Sequence, residues 1–328
     1  MSAQQVVVTG AGGFIGSHLC EVLVQRGAHV RALCRYTSRR DVGDLAALAP
    51  GVRASIDVRF GDVRDRDFVG DLVTGADAVF HLAASISVPY SFEAPREVVM
   101  TNVEGTLNVL QAARRAEVGR MLQMSSSETY GTAQATPISE EHPLGAQSPY
   151  AASKVAGDKL AETFHMSYGL PVVIARPFNT YGPRQSQRAV IPTVVAQALA
   201  GGELKLGALT PTRDFVFVRD TVAGLIALVD EPATSGATYN IATGIDVCVG
   251  DVVRVVGELL GRELVVAGAQ AERMRPPASE VHQLLGDATK LRAATGWAPA
   301  TDLRDGLAQV IAWMSGIDAA RRTGAYAI

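Results

Sequence analysis

The first half of the chain alternates short, β-branched apolar runs with longer stretches whose apolar positions recur every three to four residues. That is the pattern of strands joined by crossover helices. Strands are predicted at residues 6–9, 29–34, 57–60, 78–81, 120–125 and 171–176, with helices at 15–26, 65–73, 96–116 and 150–168 between them. The alternation predicts an α/β fold, a doubly wound parallel sheet of the Rossmann type over residues 1–176. After Arg176 the pattern becomes irregular, broken at Tyr181 to Arg184, at Gly201 and Gly202, and at Pro276 and Pro277, with helices predicted at 191–200 and 249–260. Residues 177–320 are therefore expected to be mainly a smaller C-terminal substrate-binding domain, with segments able to return to the sheet. Residues 321–328 read as a tail.

With 328 residues the chain is long enough for two units and a cleft between them. Apolar residues make up 48% and charged residues 19%, and no run approaches the ~18 apolar residues of a membrane helix. No charged leader or apolar segment precedes the first strand. Cys20, Cys34 and Cys248 are widely spaced and outside any CxxC pattern, which argues against a disulfide framework or a zinc site. Together these features are those of a cytoplasmic protein without a metal. A net charge of −3 gives no general field for nucleic acid or anionic lipid, so phosphate recognition has to be local.

One local feature meets that need. Thr9-Gly10-Ala11-Gly12-Gly13-Phe14-Ile15-Gly16 falls between the first strand and the first helix. Glycines in that place let backbone amides approach a pyrophosphate at the positive end of the helix. The spacing is similar to the TGxxGxxG of the extended short-chain dehydrogenase/reductases. At the end of the second strand, where an acid would hold the ribose 2′-hydroxyl of NAD, the chain has Cys34 followed by Arg35. Arg31, Arg35, Arg39 and Arg40 lie close together, and a guanidinium can clamp a 2′-phosphate, which favours NADP with NAD as the alternative. A solvated arginine face is the plainer reading of the same cluster.

The chemistry is expected downstream. Tyr150 and Lys154 are four residues apart, on one face of a predicted helix, and Ser125-Ser126-Ser127-Glu128 closes the fifth strand. Oxidising a sugar alcohol needs a base for the hydroxyl proton while hydride leaves the same carbon. Free tyrosine titrates near 10, so bringing the phenol to about 7 calls for roughly 4 kcal/mol from Lys154 and a cationic cofactor ring. Ser126 would orient the hydroxyl. Within the family that the glycine spacing resembles, Glu128 would discriminate between reactions: its simple 4-epimerases need no acid at this position, whereas a dehydratase needs a carboxylate to take the C5 proton as the C6 hydroxyl leaves. A packed helix face and a surface acid are the structural alternatives for these residues.

At this point the chain resembles the nucleotide-sugar 4,6-dehydratases over most of its length. Ser125-Ser126-Ser127-Glu128-Thr129-Tyr130-Gly131 is similar to their S-T-[DS]-E-x-Y-G, and Ser148-Pro149-Tyr150 through Lys154 to their S-P-Y-x-x-S-K. Arg176-Pro177-Phe178-Asn179-Thr180-Tyr181-Gly182-Pro183-Arg184, with Ala189-Val190-Ile191-Pro192, resembles the sugar-nucleotide loop. Arg213-Asp214-Phe215, Arg275-Pro276, Glu280-Val281 and Gly286-Asp287 resemble the C-terminal part of GDP-mannose and legionaminic-pathway UDP-N-acetylglucosamine 4,6-dehydratases.

The resemblance implies cofactor contacts from Gly10, Gly13, Phe14, Ile15, Gly16, Arg35, Asp62, Val63, Leu82, Ala83, Ala84, Tyr150, Lys154, Pro177 and Thr180. It implies substrate contacts from Ser126, Asn179, Ala189, Val190, Arg213 and Arg275, a nucleotide-diphosphate sugar as substrate, a tightly held and recycled cofactor, and a homodimer formed through the two long helices. Ser127 stands where dTDP-glucose 4,6-dehydratases have an aspartate that protonates the leaving hydroxyl, so Glu128, with Ser127 or a water, would have to supply that proton. UDP-glucuronate decarboxylases share the Ser–Glu pair, which keeps decarboxylation and 4-epimerisation open as alternatives. A noncatalytic dinucleotide sensor is a further reading, one that would not need Tyr150, Lys154 and Ser126 together.

Overall fold

Val6, Val7 and Val8 are all buried, with Val6 and Val8 facing one apolar core and Val7 the other, as a strand covered on both sides requires. They belong to β1 (Gln5–Thr9) in a computed structural model that describes residues 4–267 and 283–316. The sheet continues with β2 (His29–Arg35), β3 (Ile56–Gly61), β4 (Ala78–His81), β5 (Arg120–Met124), β6 (Val172–Pro177) and β7 (Thr238–Ile241). All pairings are parallel, in the order β7-β6-β5-β4-β1-β2-β3. The order reverses between β1 and β4, which makes the carboxyl ends of these strands the place where such a sheet holds a ligand.

The main helices are α1 (Phe14–Gln25), α2 (Arg66–Val73), α3 (Gly105–Arg115), α4 (Pro149–Tyr168), α5 (Val190–Ala200), α6 (Val218–Asp230), α7 (Val249–Leu259) and α8 (Leu303–Ser315). Helices α1 and α6 pack over one face of the sheet, where Leu19, Leu225 and Leu228 meet Val6, Val8 and Val173. On the other face α2, α3 and α4 bring Val69, Leu110 and Ala161 against Val7, Met121 and Ile174. A third core, built by α5, α7 and α8 around Ile191, Val194, Val252, Val256, Leu307 and Val310, supports the loops beyond β6. Among these, Asn179–Tyr181 pairs with Phe215–Phe217, and Thr212–Arg213 runs between Val247–Cys248 and Gln283–Leu284.

All six predicted strands are present. Two features differ from the sequence expectation. The seventh strand, Thr-Tyr-Asn-Ile, has no apolar run to reveal it: Asn240 is fully buried because its side chain accepts from the Tyr130 hydroxyl at 2.7 Å and donates to the Ile138 carbonyl at 3.0 Å. The single helix expected over 96–116 is instead Pro95–Val99, a π turn at Met100–Glu104, and α3. The wide turn frees the Asn102 carbonyl, which accepts from Thr106 Oγ1 at 2.6 Å, and turns the Asn102 side chain inward.

Candidate active site

Gly13 caps α1 without any side-chain hydrogen bond, and the first turn of the helix carries no acid. The amides there are left open to an anion and the helix dipole favours one, so the turn fits a dinucleotide pyrophosphate. The neighbouring glycines serve close packing. Gly10 has φ +70°, and a Cβ there would lie 2.8 Å from the Ala83 amide nitrogen; a Cβ on Gly16 would run into the Gly10 carbonyl. Leu82 and Ala83 therefore pass directly beside the turn, with Ala84 following in the chain, and Phe14 and Ile15 open α1.

Thr9 joins β1 to β4 and fixes a proton pattern. Thr106 Oγ1 donates to the Asn102 carbonyl, so it must accept from His81 Nε2, 3.0 Å away. His81 Nδ1 is then the acceptor for Thr9 Oγ1 at 2.7 Å, while Thr9 Oγ1 accepts from the Ala83 amide at 3.1 Å. Burial holds this imidazole neutral, with its pKa lowered to about 3. Asn102 extends the chain: its amide accepts from Ser85 N at 2.7 Å and donates to Ser153 Oγ at 2.8 Å, and Ser153 donates to the Tyr150 carbonyl at 2.6 Å. The glycine turn and the helix carrying Tyr150 are thus connected through buried polar groups that each have a partner.

The end of β2 corrects part of the arginine reading. Arg31 turns away, donating to the Leu72 and Thr74 carbonyls at the end of α2, and so leaves the cluster. Cys34 is buried under the glycine turn, where burial pushes its thiol up to about 11. Arg35 remains mostly exposed, 3.7 Å from Glu97, and Arg39 and Arg40 are exposed. The Asp62 carboxylate is clamped by Arg64 through Nε at 2.9 Å and Nη2 at 2.5 Å, which holds it below the usual range; Val63 beside it is buried against Gly105.

After β5 the chain makes a single tight turn, Ser127–Thr129. Ser126 caps it, accepting from the Glu128 amide at 3.2 Å, and its hydroxyl acts on the Tyr150 phenol, opposing the rise of its pKa. Ser127 and Thr129 are buried while Ser126 and Glu128 stay partly accessible, so the turn sorts its side chains by alternation. Helix α4 starts at Pro149 with Ser148 as its cap, which places Tyr150 in the first turn. Burial, with the carboxylates of Glu128 and Asp158, pushes the phenol up to about 12. The demand anticipated from sequence therefore grows: reaching about 7 spans roughly 7 kcal/mol. Lys154 is buried, its Nζ donating to the Met124 carbonyl at 2.5 Å, and burial draws its pKa down to about 8.

In the segment after β6, which Pro177 ends, Thr180 bonds Thr221 at 3.0 Å. The Asn179 and Gln185 side-chain oxygens are buried without a protein partner and so suit a ligand; Gln185 has no place in the sequence expectation. Ala189 caps α5 and Val190 begins it. Arg213 lies on its short strand, Nη1 donating to the Thr212 carbonyl at 2.8 Å. Arg275, with Pro276, Glu280 and Val281, lies outside the described residues, as does the tail. Sequence reasoning also missed His81, Asn102 and Asp158, and it gave Arg176 only as the opening of the segment resembling the sugar-nucleotide loop. Of these only Asp158 left a signal, because it falls one helical turn after Lys154. Among the described residues no His, Cys, Asp and Glu cluster is placed to hold a metal, and no helix is long and apolar enough to cross a membrane.

The reversed strand order with an uncapped glycine turn beside it defines a dinucleotide-binding protein of the Rossmann class. The sequence profile of the GDP-mannose 4,6 dehydratase family matches residues 7–310. A dTDP-glucose 4,6-dehydratase of Streptomyces griseus is 36% identical over 318 residues, 94% of this chain and 93% of that protein. A UDP-glucose 4-epimerase of Mycolicibacterium smegmatis is 33% identical over 315 residues, 94% and 97% of the two chains. Among solved structures, a dTDP-glucose 4,6-dehydratase double mutant from Streptomyces venezuelae with NAD bound superposes with a TM-score of 0.84 at 32% identity, covering 95% of this chain and 97% of that one. The chain belongs to the GDP-mannose 4,6 dehydratase family and is an enzyme of the NAD-dependent nucleotide-sugar dehydratase and epimerase group.

Proposed function

We propose that this protein is an NDP-hexose 4,6-dehydratase, forming a 4-keto-6-deoxy sugar nucleotide. The observation that carries the reading is the convergence of Ser126, Glu128 and Tyr150, an acid beside the hydroxyl and phenol that handle the C4 hydroxyl. The bound nicotinamide ring would accept hydride from C4 and release it to C6. Tyr150, as phenolate, takes the C4 hydroxyl proton, with Ser126 orienting that hydroxyl and Lys154 placed by the Met124 carbonyl. Glu128 removes the C5 proton and hands a proton to the departing C6 hydroxyl, which leaves as water; once C6 is reduced, a proton returns to C5 through Glu128 from solvent and Tyr150 releases the C4 hydroxyl proton to solvent, while Ser127 sits buried next to Glu128 as the support of the turn. Asn179, Gln185, Ala189, Val190 and Arg213 form the sugar-nucleotide side, within residues 177–320.

The cofactor reading is NADP, with Arg35 meeting the 2′-phosphate where an acid is missing; the NAD in the solved relative makes NAD the alternative. A cytoplasmic homodimer is proposed through the helical face that includes α3 and α4, where Val99 and Met166 are exposed. The second reading is a 4-epimerase, favoured by the Mycolicibacterium relative.

Incubation with dTDP-glucose, GDP-mannose and UDP-N-acetylglucosamine, followed by mass spectrometry, is expected to give a product lighter by one water. A product of unchanged mass rejects the dehydratase in favour of the epimerase, and loss of carbon dioxide from UDP-glucuronate would mark a decarboxylase. Glu128→Gln should keep C4 oxidation, seen as reduced-cofactor absorbance, and lose elimination by about 100-fold or more. An epimerase would barely respond.

A further inference from the structure

Asp158 lies on α4 one turn after Lys154 and two after Tyr150, so the three side chains share a helix face. It is completely buried. Its Oδ2 accepts three hydrogen bonds, from Ser125 Oγ at 2.8 Å, Arg176 Nε at 3.0 Å and Arg176 Nη2 at 2.9 Å. Its Oδ1 has no hydrogen-bond partner. The contrast with Asp62 is informative, because Arg64 engages both oxygens of that carboxylate. A carboxylate that served only to tie α4 to β6 would be expected to use both oxygens; Asp158 leaves one free within the low-dielectric interior that holds Lys154.

We propose that Asp158 is a positioning residue for the proton chemistry, its buried negative charge setting the ionisation of both Lys154 and Tyr150. The inference rests on reading Tyr150 and Lys154 as the reacting pair. The charge arrangement supports it. Lys154 and Arg176 place two cations around one carboxylate, so the cluster is singly positive while the phenol is neutral and becomes neutral when the phenol ionises. Without Asp158 both cations would lie uncompensated, and the lysine, already weakened by burial, would lose its proton first.

The groups facing this cluster come from every neighbouring element. Glu128 from the turn after β5 acts on Tyr150, His81 from β4 is neutral, Arg176 from β6 pairs with Asp158, and Tyr130 bonds Arg176 at 3.1 Å. Asp158 raises both Tyr150 and Lys154, and these are the effects its removal would reverse.

Loss of a fixed negative charge favours the deprotonated form of each neighbour, so both limbs of the pH–rate profile move towards acid. In Asp158→Asn, assayed on whichever of dTDP-glucose, GDP-mannose and UDP-N-acetylglucosamine the wild type converts, the shift expected is about one pH unit. Asp158→Glu should restore the profile. The tyrosinate absorbance of the NADP-loaded protein, taken as the difference from its Tyr150→Phe counterpart, should shift the same way without need of turnover. Should Asp158→Asn fail to fold, Asp158→Asn/Arg176→Gln removes both charges and keeps an amide pair, with a smaller shift of the same direction expected. A lowered rate on an unmoved or alkaline-shifted profile, with an unmoved tyrosinate titration, overturns the inference and leaves Asp158 structural. Full turnover by Tyr150→Phe would instead overturn the catalytic reading beneath it.

Discussion

At the residue scale, the outcome for each side chain depended on what surrounds it. Cys34 and Arg35 are adjacent in sequence, yet one is buried under the glycine turn and the other is mostly exposed. That division keeps Arg35 at the surface, as Arg39 and Arg40 are, whereas Arg31, occupied by the carbonyls ending α2, is not available to a 2′-phosphate. Arg35→Ala, stripped of cofactor and titrated, should bind NADP about tenfold more weakly and NAD nearly unchanged. Equal weakening for the two, or tighter NAD than NADP in the wild type, would remove the NADP reading. The glycine turn and Tyr150 with Lys154 could be proposed from sequence because the chemistry proposed for them needs particular residue types at fixed spacing. His81 and Arg176 could not be, since a lone histidine or arginine in a strand looks the same whether it is a surface group or the centre of a buried network.

At the element scale, the predicted helices and strands fall within a residue or two of those observed, apart from the interrupted 96–116 helix. Periodicity reads an apolar face and does not register one extra residue in a turn. The consequence of that residue is functional, because the π turn brings Asn102 between Ser85 and Ser153 and so connects the side of the glycine turn to α4. Asn102→Ala leaves the Ser85 amide and carbonyl without their partner, a loss of about 3 kcal/mol of stability. Denaturant unfolding measures it, and kcat should fall alongside. Unchanged stability would show that the bridge does not hold these elements together.

At the scale of the whole molecule, segments distant in sequence are held against one another by polar contacts. The Arg184 guanidinium reaches Glu21 on α1 at 2.7 Å, and His18 bonds the Pro183 carbonyl at 2.9 Å, so the loop after β6 is fastened to the helix that opens at the glycine turn. Arg120 at the start of β5 donates to the Leu228, Val229 and Glu231 carbonyls ending α6. Burial lowers His18 to about 4, below its ordinary 6.5. Its contribution to stability is therefore complete above pH 6.5 and is lost as the pH falls towards about 4. His18→Gln keeps an amide donor for Pro183 and cannot titrate, so between pH 7 and 4.5 it should lose less thermal stability than the wild type. Parallel melting-temperature curves would remove His18 from the acid response.

By itself the sequence determined the parallel sheet and the glycine turn before α1, and it singled out Ser126, Glu128, Tyr150 and Lys154 as the constellation proposed for the chemistry, because each is written in local spacing and residue type. Only the tertiary structure decided that Thr238–Ile241 completes the sheet, that Arg31 leaves the ribose end, and that Asp158 and Arg176 pair beneath the lysine. These depend on which buried polar groups find one another across the fold. Partners of that kind are far apart in the chain, and no periodicity records them.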